Sequence, residues 1–235
     1  MAKKTETPKS VVAGNVRVKT GVPGLDPLIE GGLIPGSTVL LSGGTGTGKT
    51  LFCGHFMLMG VMNGEKCVYV STEEPIEKIK MDWMRCGMDF SEYEKKKLIN
   101  FVEVNPLEIK DLPRRLNYIL DTNNPKRVVI DSTTMLSLSI EDQFDLRKMF
   151  LQIMAMLNKS EATSIIIEEA QSMDKYSATG DVEYLTDGVI VLRYMEEMPE
   201  YKRHLLVRKM RRTGHSESRH PIKITDKGLV VTEMK

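Results

Sequence analysis

Hydrophobic positions along this chain fall into two alternating textures. Short runs that are apolar at nearly every position read as strands buried on both faces: residues 37–42, 67–71, 98–104, 128–131 and 164–167. Between them, apolar residues recur at helical spacing over residues 50–63, 75–86, 112–120 and 145–158. Pro75 suits the first turn of its helix, where no backbone N–H is needed. This alternation predicts an α/β fold, a mostly parallel central sheet with helices on both faces. From Asp187 onward the texture changes. Residues 189–193, 204–208, 222–225 and 229–231 form short apolar runs separated by turns without helices. They predict a C-terminal antiparallel extension of the same sheet. Before the first buried run, Val16–Lys19 reads as a short edge strand and Gly21–Asp26 as a turn opening a short helix. Residues 1–14 are expected to form a flexible arm and residues 15–235 one domain, without internal repeat or linker. The most loop-like internal stretch is 171–181.

Composition narrows the class without naming a function. The 235 residues carry a net charge of +1, so no global basic field advertises nucleic acid or an acidic membrane surface. No stretch approaches a membrane span, and the polar, lysine-containing first ten residues lack a signal-peptide core, so a cytoplasmic location is expected. The three cysteines, Cys53, Cys67 and Cys86, are too dispersed for a disulfide framework or a zinc site and read as small buried hydrophobes. The methionines, 16 in all, read mainly as flexible core filler.

Residues 43–50 carry the chemistry. They read Gly43-Gly44-Thr45-Gly46-Thr47-Gly48-Lys49-Thr50, a complete Walker A loop between a strand and a helix. Glycines let successive backbone N–H groups close around a phosphate, Lys49 supplies a compact charge for the β- and γ-phosphates, and the Thr50 hydroxyl suits a Mg²⁺ shell. The chain is therefore expected to bind ATP with Mg²⁺. Asp131, at the carboxyl end of an apolar strand, has the form of a Walker B metal anchor. Glu73 and Glu74 follow another strand of the same sheet. Their carboxylates either orient the attacking water or simply favour the N-terminus of the helix after Pro75. His55 is expected to pack rather than to react. The strand end Glu168-Glu169-Ala170-Gln171 brings carboxylates that would repel a triphosphate, and it leaves open whether Glu168, Glu169, Gln171 or none of them senses the γ-phosphate.

Four segments make the chain resemble the KaiC-like branch of RecA-superfamily P-loop ATPases over about residues 16–232. They are residues 18–26 followed by Gly31-Gly32, the pair Glu73-Glu74, residues 187–193, and residues 209–215 with 221–228. The last is the most selective. The resemblance implies a homo-oligomeric ring, usually a hexamer, with ATP between neighbours. It makes Glu73, with Glu74 as partner or alternate, the catalytic carboxylate. It also aligns Lys209 and Arg211 with the finger that reaches the adjacent subunit's γ-phosphate, and Thr213 and His215 with contacts to that nucleotide. Charge alone would read residues 208–212 as a solvated basic edge. Arg212 departs from the family, which has glycine there.

Three functions compete. The first is a slow ring ATPase whose nucleotide state acts as a switch on the ring and a protein partner. Residues 182–185 place acid and tyrosine where a KaiC-like autokinase carries its Ser/Thr acceptors, so autokinase activity is not expected, Ser177, Thr179 and Thr186 being the hydroxyls that remain nearby. The second is a recombinase-like accessory protein that binds DNA. It is disfavoured because residues 171–181 offer one lysine, Lys175, against Asp174 and Asp181. The third is a structural platform that binds ATP without turning it over, against which Glu73 and Glu74 speak.

Overall fold

Four of the five apolar runs become the middle of a sheet, and the run over residues 98–104 becomes its edge. The computed structural model describes residues 16–170, 182–195 and 202–232. In chain order the strands are β1 (Thr38–Gly43), β2 (Cys67–Ser71), β3 (Ile99–Glu103), β4 (Arg127–Asp131), β5 (Thr163–Glu169), β6 (Gly188–Met195), β7 (Lys202–Met210), β8 (Arg219–Thr225) and β9 (Gly228–Val231). Among the described residues they form one sheet in the order β3-β2-β4-β5-β1-β6-β7-β8-β9. The first six positions in that order are parallel, and β7, β8 and β9 continue it antiparallel. The antiparallel extension is therefore present, but β6, its expected first strand, runs parallel to β1 and is shared by both halves.

Helices cover both faces: α1 (Lys49–Met62), α2 (Ile76–Arg85), α3 (Ser91–Lys95), α4 (Leu112–Asn123), α5 (Thr134–Ser139), α6 (Gln143–Ser160) and α7 (Val182–Leu185). Successive strand residues point to opposite faces, and the core divides accordingly. Val39, Leu41, Val129, Ile165 and Ile167 pack with Phe52 and Phe56 of α1 and Trp83 of α2. Leu40, Val128, Ile130 and Ile166 pack with Leu116 of α4 and Phe150 and Leu157 of α6. β1, β2, β4 and β5 thus bury both faces, which is why their sequences lack a polar alternation. β3, expected to be buried likewise, is instead the edge strand and exposes Asn100 and Glu103. Asp142 caps α6 by accepting a hydrogen bond from the Asp145 N–H at 2.9 Å.

Two expectations near the N-terminus are modified. Val16–Lys19 makes only an isolated bridge, Val18 to Leu33, and the helix it precedes is a single 3₁₀ turn, Asp26–Ile29. His55 packs as expected: it is buried, its Nε2 accepts from the Leu229 N–H at 3.1 Å, and burial lowers its pKa.

Arg127 is 1% exposed at the start of β4, over the Phe56 ring. It donates to Glu65 Oε2 at 2.5 Å, to Lys19 O at 2.7 Å and to Phe56 O at 3.0 Å. Arg127→Met keeps most of the stem but strips the buried Phe56 carbonyl and the half-buried Lys19 carbonyl of a charged donor. It is expected to cost about 2 kcal/mol, measurable as a lowered midpoint in urea. An unchanged midpoint would mean that these contacts do not stabilise the fold.

Candidate active site

β1 ends at Gly43 and α1 begins at Lys49, so residues 44–48 turn a strand into a helix at the carboxyl edge of the sheet. The turn uses left-handed backbone at Gly46 (φ 73°) and Gly48 (φ 105°), conformations that favour glycine. The first turn of α1 carries no acidic side chain, leaving its N–H groups to an anion. Lys49 Nζ donates to Gly43 O at 2.8 Å and Gly44 O at 2.9 Å, which holds the ammonium against the loop. Burial lowers the Lys49 pKa, and the negative charges of Glu169, Asp131 and Glu73 partly offset it.

Several side chains brace the loop. The Thr45 hydroxyl donates to Glu169 Oε1 at 2.5 Å and the Thr47 hydroxyl to Gly44 O at 2.8 Å. From the extension, the Tyr194 hydroxyl and Arg203 Nε converge on Gly46 O at 2.9 and 3.1 Å, with the Arg203 guanidinium 4.9 Å from the Tyr194 ring centre.

The candidate metal pair, Thr50 and Asp131, is assembled from α1 and β4. Thr50 Oγ1 donates to Asp131 Oδ2 at 3.2 Å, and the Tyr69 hydroxyl of β2 donates to the same oxygen. Burial raises the Asp131 pKa, while hydrogen bonds from Tyr69 and Thr50 and the nearby Lys49 charge oppose the rise. A hydroxyl and a carboxylate are hard oxygen donors, and Mg²⁺ takes few protein ligands beside phosphate and water. The donor set fits Mg²⁺.

The two glutamates separate. Glu73 Oε1 accepts from the hydroxyl of Ser132, the residue after Asp131 across a cis peptide bond. Ser132 is itself fixed by Thr72, whose hydroxyl donates to Ser132 O at 2.7 Å and accepts from Ser132 N at 3.1 Å. Glu74 instead pairs with Lys78 at 2.9 Å, one turn along the helix on the surface. Glu73 and not Glu74 is among the charges that act on Lys49.

Lys209 and Arg211 stand elsewhere. Gly43 is in register with Leu192 of β6, whereas Lys209 is in register with Val189, three residues back along that strand. At about 3.3 Å per residue, and two strands away, Lys209 lies far from this chain's own phosphate loop. Its ammonium donates to Glu183 O at 2.8 Å and Thr186 O at 2.6 Å, and Arg211 Nη2 donates to Tyr184 O at 3.1 Å. These cations thus satisfy the carbonyls at the end of α7. Arg211 and Arg212 each lie 3.7 Å from Asp187. Thr213 accepts from Arg17 at 2.7 Å, and His215 Nδ1 sits 3.1 Å from Ser216 O. Of the sensor candidates, Glu168 is fully buried beside Ser137, Glu169 reaches Thr45, and Gln171 lies outside the described residues.

Tyr69, Ser132, Tyr194 and Arg203 are absent from the sequence-derived set. Each enters through a contact between segments far apart in sequence that no local pattern marks.

A family model described as "ATPase: KaiC" matches residues 18–235. The UPF0273 protein PH0284 of Pyrococcus horikoshii is 36% identical over 232 residues, covering 92% of this chain and 93% of the relative. The circadian clock oscillator protein KaiC of Synechococcus elongatus is 31% identical over 221 residues, covering 92% of this chain but 42% of the clock protein. Among solved structures, the KaiC-like protein PH0186 of Pyrococcus horikoshii OT3 superposes with a TM-score of 0.84 at 39% identity, covering 93% of this chain and 99% of that one. No helix among the described residues is long and apolar enough to cross a membrane.

Proposed function

This chain belongs to the KaiC family of ATPases, and on that footing we propose that it binds Mg·ATP at residues 43–50 and hydrolyses it slowly. In this reading it works as a homo-oligomeric ring, a hexamer, whose nucleotide state is the switch. The observation that carries the reading is the grouping of Lys49, the Thr50–Asp131 pair and a Ser132-held Glu73 around one loop mouth.

Roles follow from that grouping. The loop's N–H groups and Lys49 bind and orient the phosphates. Thr50 and Asp131 would hold the metal, which when bound would supply positive charge to offset that of the phosphate oxygens. Glu73 aligns a water and accepts its proton at the carboxylate, with Ser132 fixing the direction of attack. Lys209 and Arg211 complete a neighbour's site, which agrees with their distance from their own loop. Thr213 and His215 border the same borrowed nucleotide.

The test is Mg·ATP hydrolysis per chain across a wide range of protein concentration. A rate that climbs as chains associate is the expected result. A rate that stays flat while mass measurements show monomer becoming ring would overturn the shared site. Tight ATP binding with no turnover at any concentration would favour the structural platform.

A further inference from the structure

We infer that Tyr69 is a positioning residue for the Asp131 carboxylate, setting how tightly the site holds a divalent cation beside bound nucleotide. The inference rests on the nucleotide reading above and adds a residue to it. Tyr69 sits in the second strand of the sheet with no exposed surface, and its hydroxyl donates to Asp131 Oδ2, the oxygen that also receives the Thr50 hydroxyl. A phenylalanine would fill the same apolar space. The hydroxyl therefore adds only what it does for the carboxylate.

The phenol cannot wander. Its ring meets Trp83 edge-on, with centroids 4.9 Å apart and planes at 87°, and lies 6.2 Å from Phe101. Trp83 in turn donates Nε1–H to Thr50 O at 2.9 Å. The indole lies so close to α1 that a Cβ at Gly54 would come within 2.7 Å of Trp83 Nε1. One aromatic pair thus holds both halves of the metal site, the hydroxyl acting on Asp131 and the indole on the Thr50 backbone. Two donors on Oδ2 stop the carboxylate from turning. Mg²⁺ demands near-ideal octahedral geometry, so a carboxylate left to rotate in a buried site binds it less well. Outer hydrogen bonds of this kind typically change metal affinity by about 10- to 100-fold.

The experiment compares the wild-type chain with Tyr69→Phe. ADP affinity is measured by calorimetry in EDTA and again across a series of Mg²⁺ concentrations. The lone tryptophan, Trp83, provides an emission signal from the same place. The expected result is equal ADP affinity in EDTA, with the Mg²⁺-dependent tightening reduced about tenfold in the variant. The Mg²⁺ concentration giving half-maximal hydrolysis should rise by a similar factor, with turnover recovered at saturating Mg²⁺. Equal Mg²⁺-dependent tightening in the two proteins overturns the inference alone. So does a loss that saturating Mg²⁺ does not restore, since that would mark a structural role. A wild-type chain that binds no Mg·ADP overturns the nucleotide reading and this inference together.

Discussion

Arg211→Ala is expected to lower ATP turnover roughly a thousandfold while ATP affinity changes little, because a cation acting on transition-state charge contributes mainly to the chemical step. The motive is geometric: Arg211 follows a strand whose register sets it away from its own phosphate loop. Among the described residues the side chain holds Tyr184 O and the Asp187 carboxylate. A structural role through those contacts is the rival explanation, and mixing separates the two. Chains carrying Lys49→Ala have no working phosphate loop but an intact finger. Blended with Arg211→Ala chains, they should restore activity if the finger works across an interface. Parallel loss of ATP affinity and turnover, with no recovery on mixing, would assign Arg211 to folding.

Glu73→Gln should reduce turnover by roughly a hundredfold or more, with Mg·ATP binding retained, whereas Glu74→Gln should stay within about threefold of wild type. The contrast follows from where the carboxylates end up. Glu73 is steadied by Ser132 beside Asp131, and its charge reaches Lys49. Glu74 is committed to an exposed pair with Lys78. Single-turnover rates with binding measured separately would decide it. If Glu74→Gln proved the slower enzyme, the assignment of the water-orienting role would have to be exchanged.

Much of the fold was legible because parallel strands buried on both faces leave an unmistakable trace. Runs such as Val128-Val129-Ile130 and Ile165-Ile166-Ile167 have few other structures open to them. The amphipathic α2 and α4 were legible for the complementary reason, a regular apolar face with Ile79 and Trp83 or Leu116 and Leu120 turned inward. What escaped had no local signature. None of the five residues of α3 is fully buried and only Tyr93 leans on the core, so no periodicity announces them. The direction of β6 depends on its partner β1, almost 150 residues upstream, and not on its own composition. Val16–Lys19 looked like a strand because β-branched residues alternate with cations, yet among its residues only Val18 makes a β-bridge. The site divides in the same way. The loop, Asp131 and the glutamate pair lie in contiguous motifs. Within its own strand, Tyr69 resembles any other large residue filling a core, and its role emerges only when β2 and β4 align side by side.

The register that separates Gly43 from Lys209 also gives the molecule a direction. If Lys209 and Arg211 act on a neighbour, each copy in a head-to-tail array would lend a finger on one side and borrow one on the other. An open run of n copies therefore always contains one loop with no finger. Only closure supplies the last. Turnover per chain would rise as (n − 1)/n while the run lengthens and reach its full value when the ends meet. Within each copy one sheet joins the strand of Lys209 to the strand that ends at Gly43, with a register irregularity between Val189 and Ile190 on the way. Counting to a complete circle would then be done by the arithmetic of the contacts rather than by any moving part.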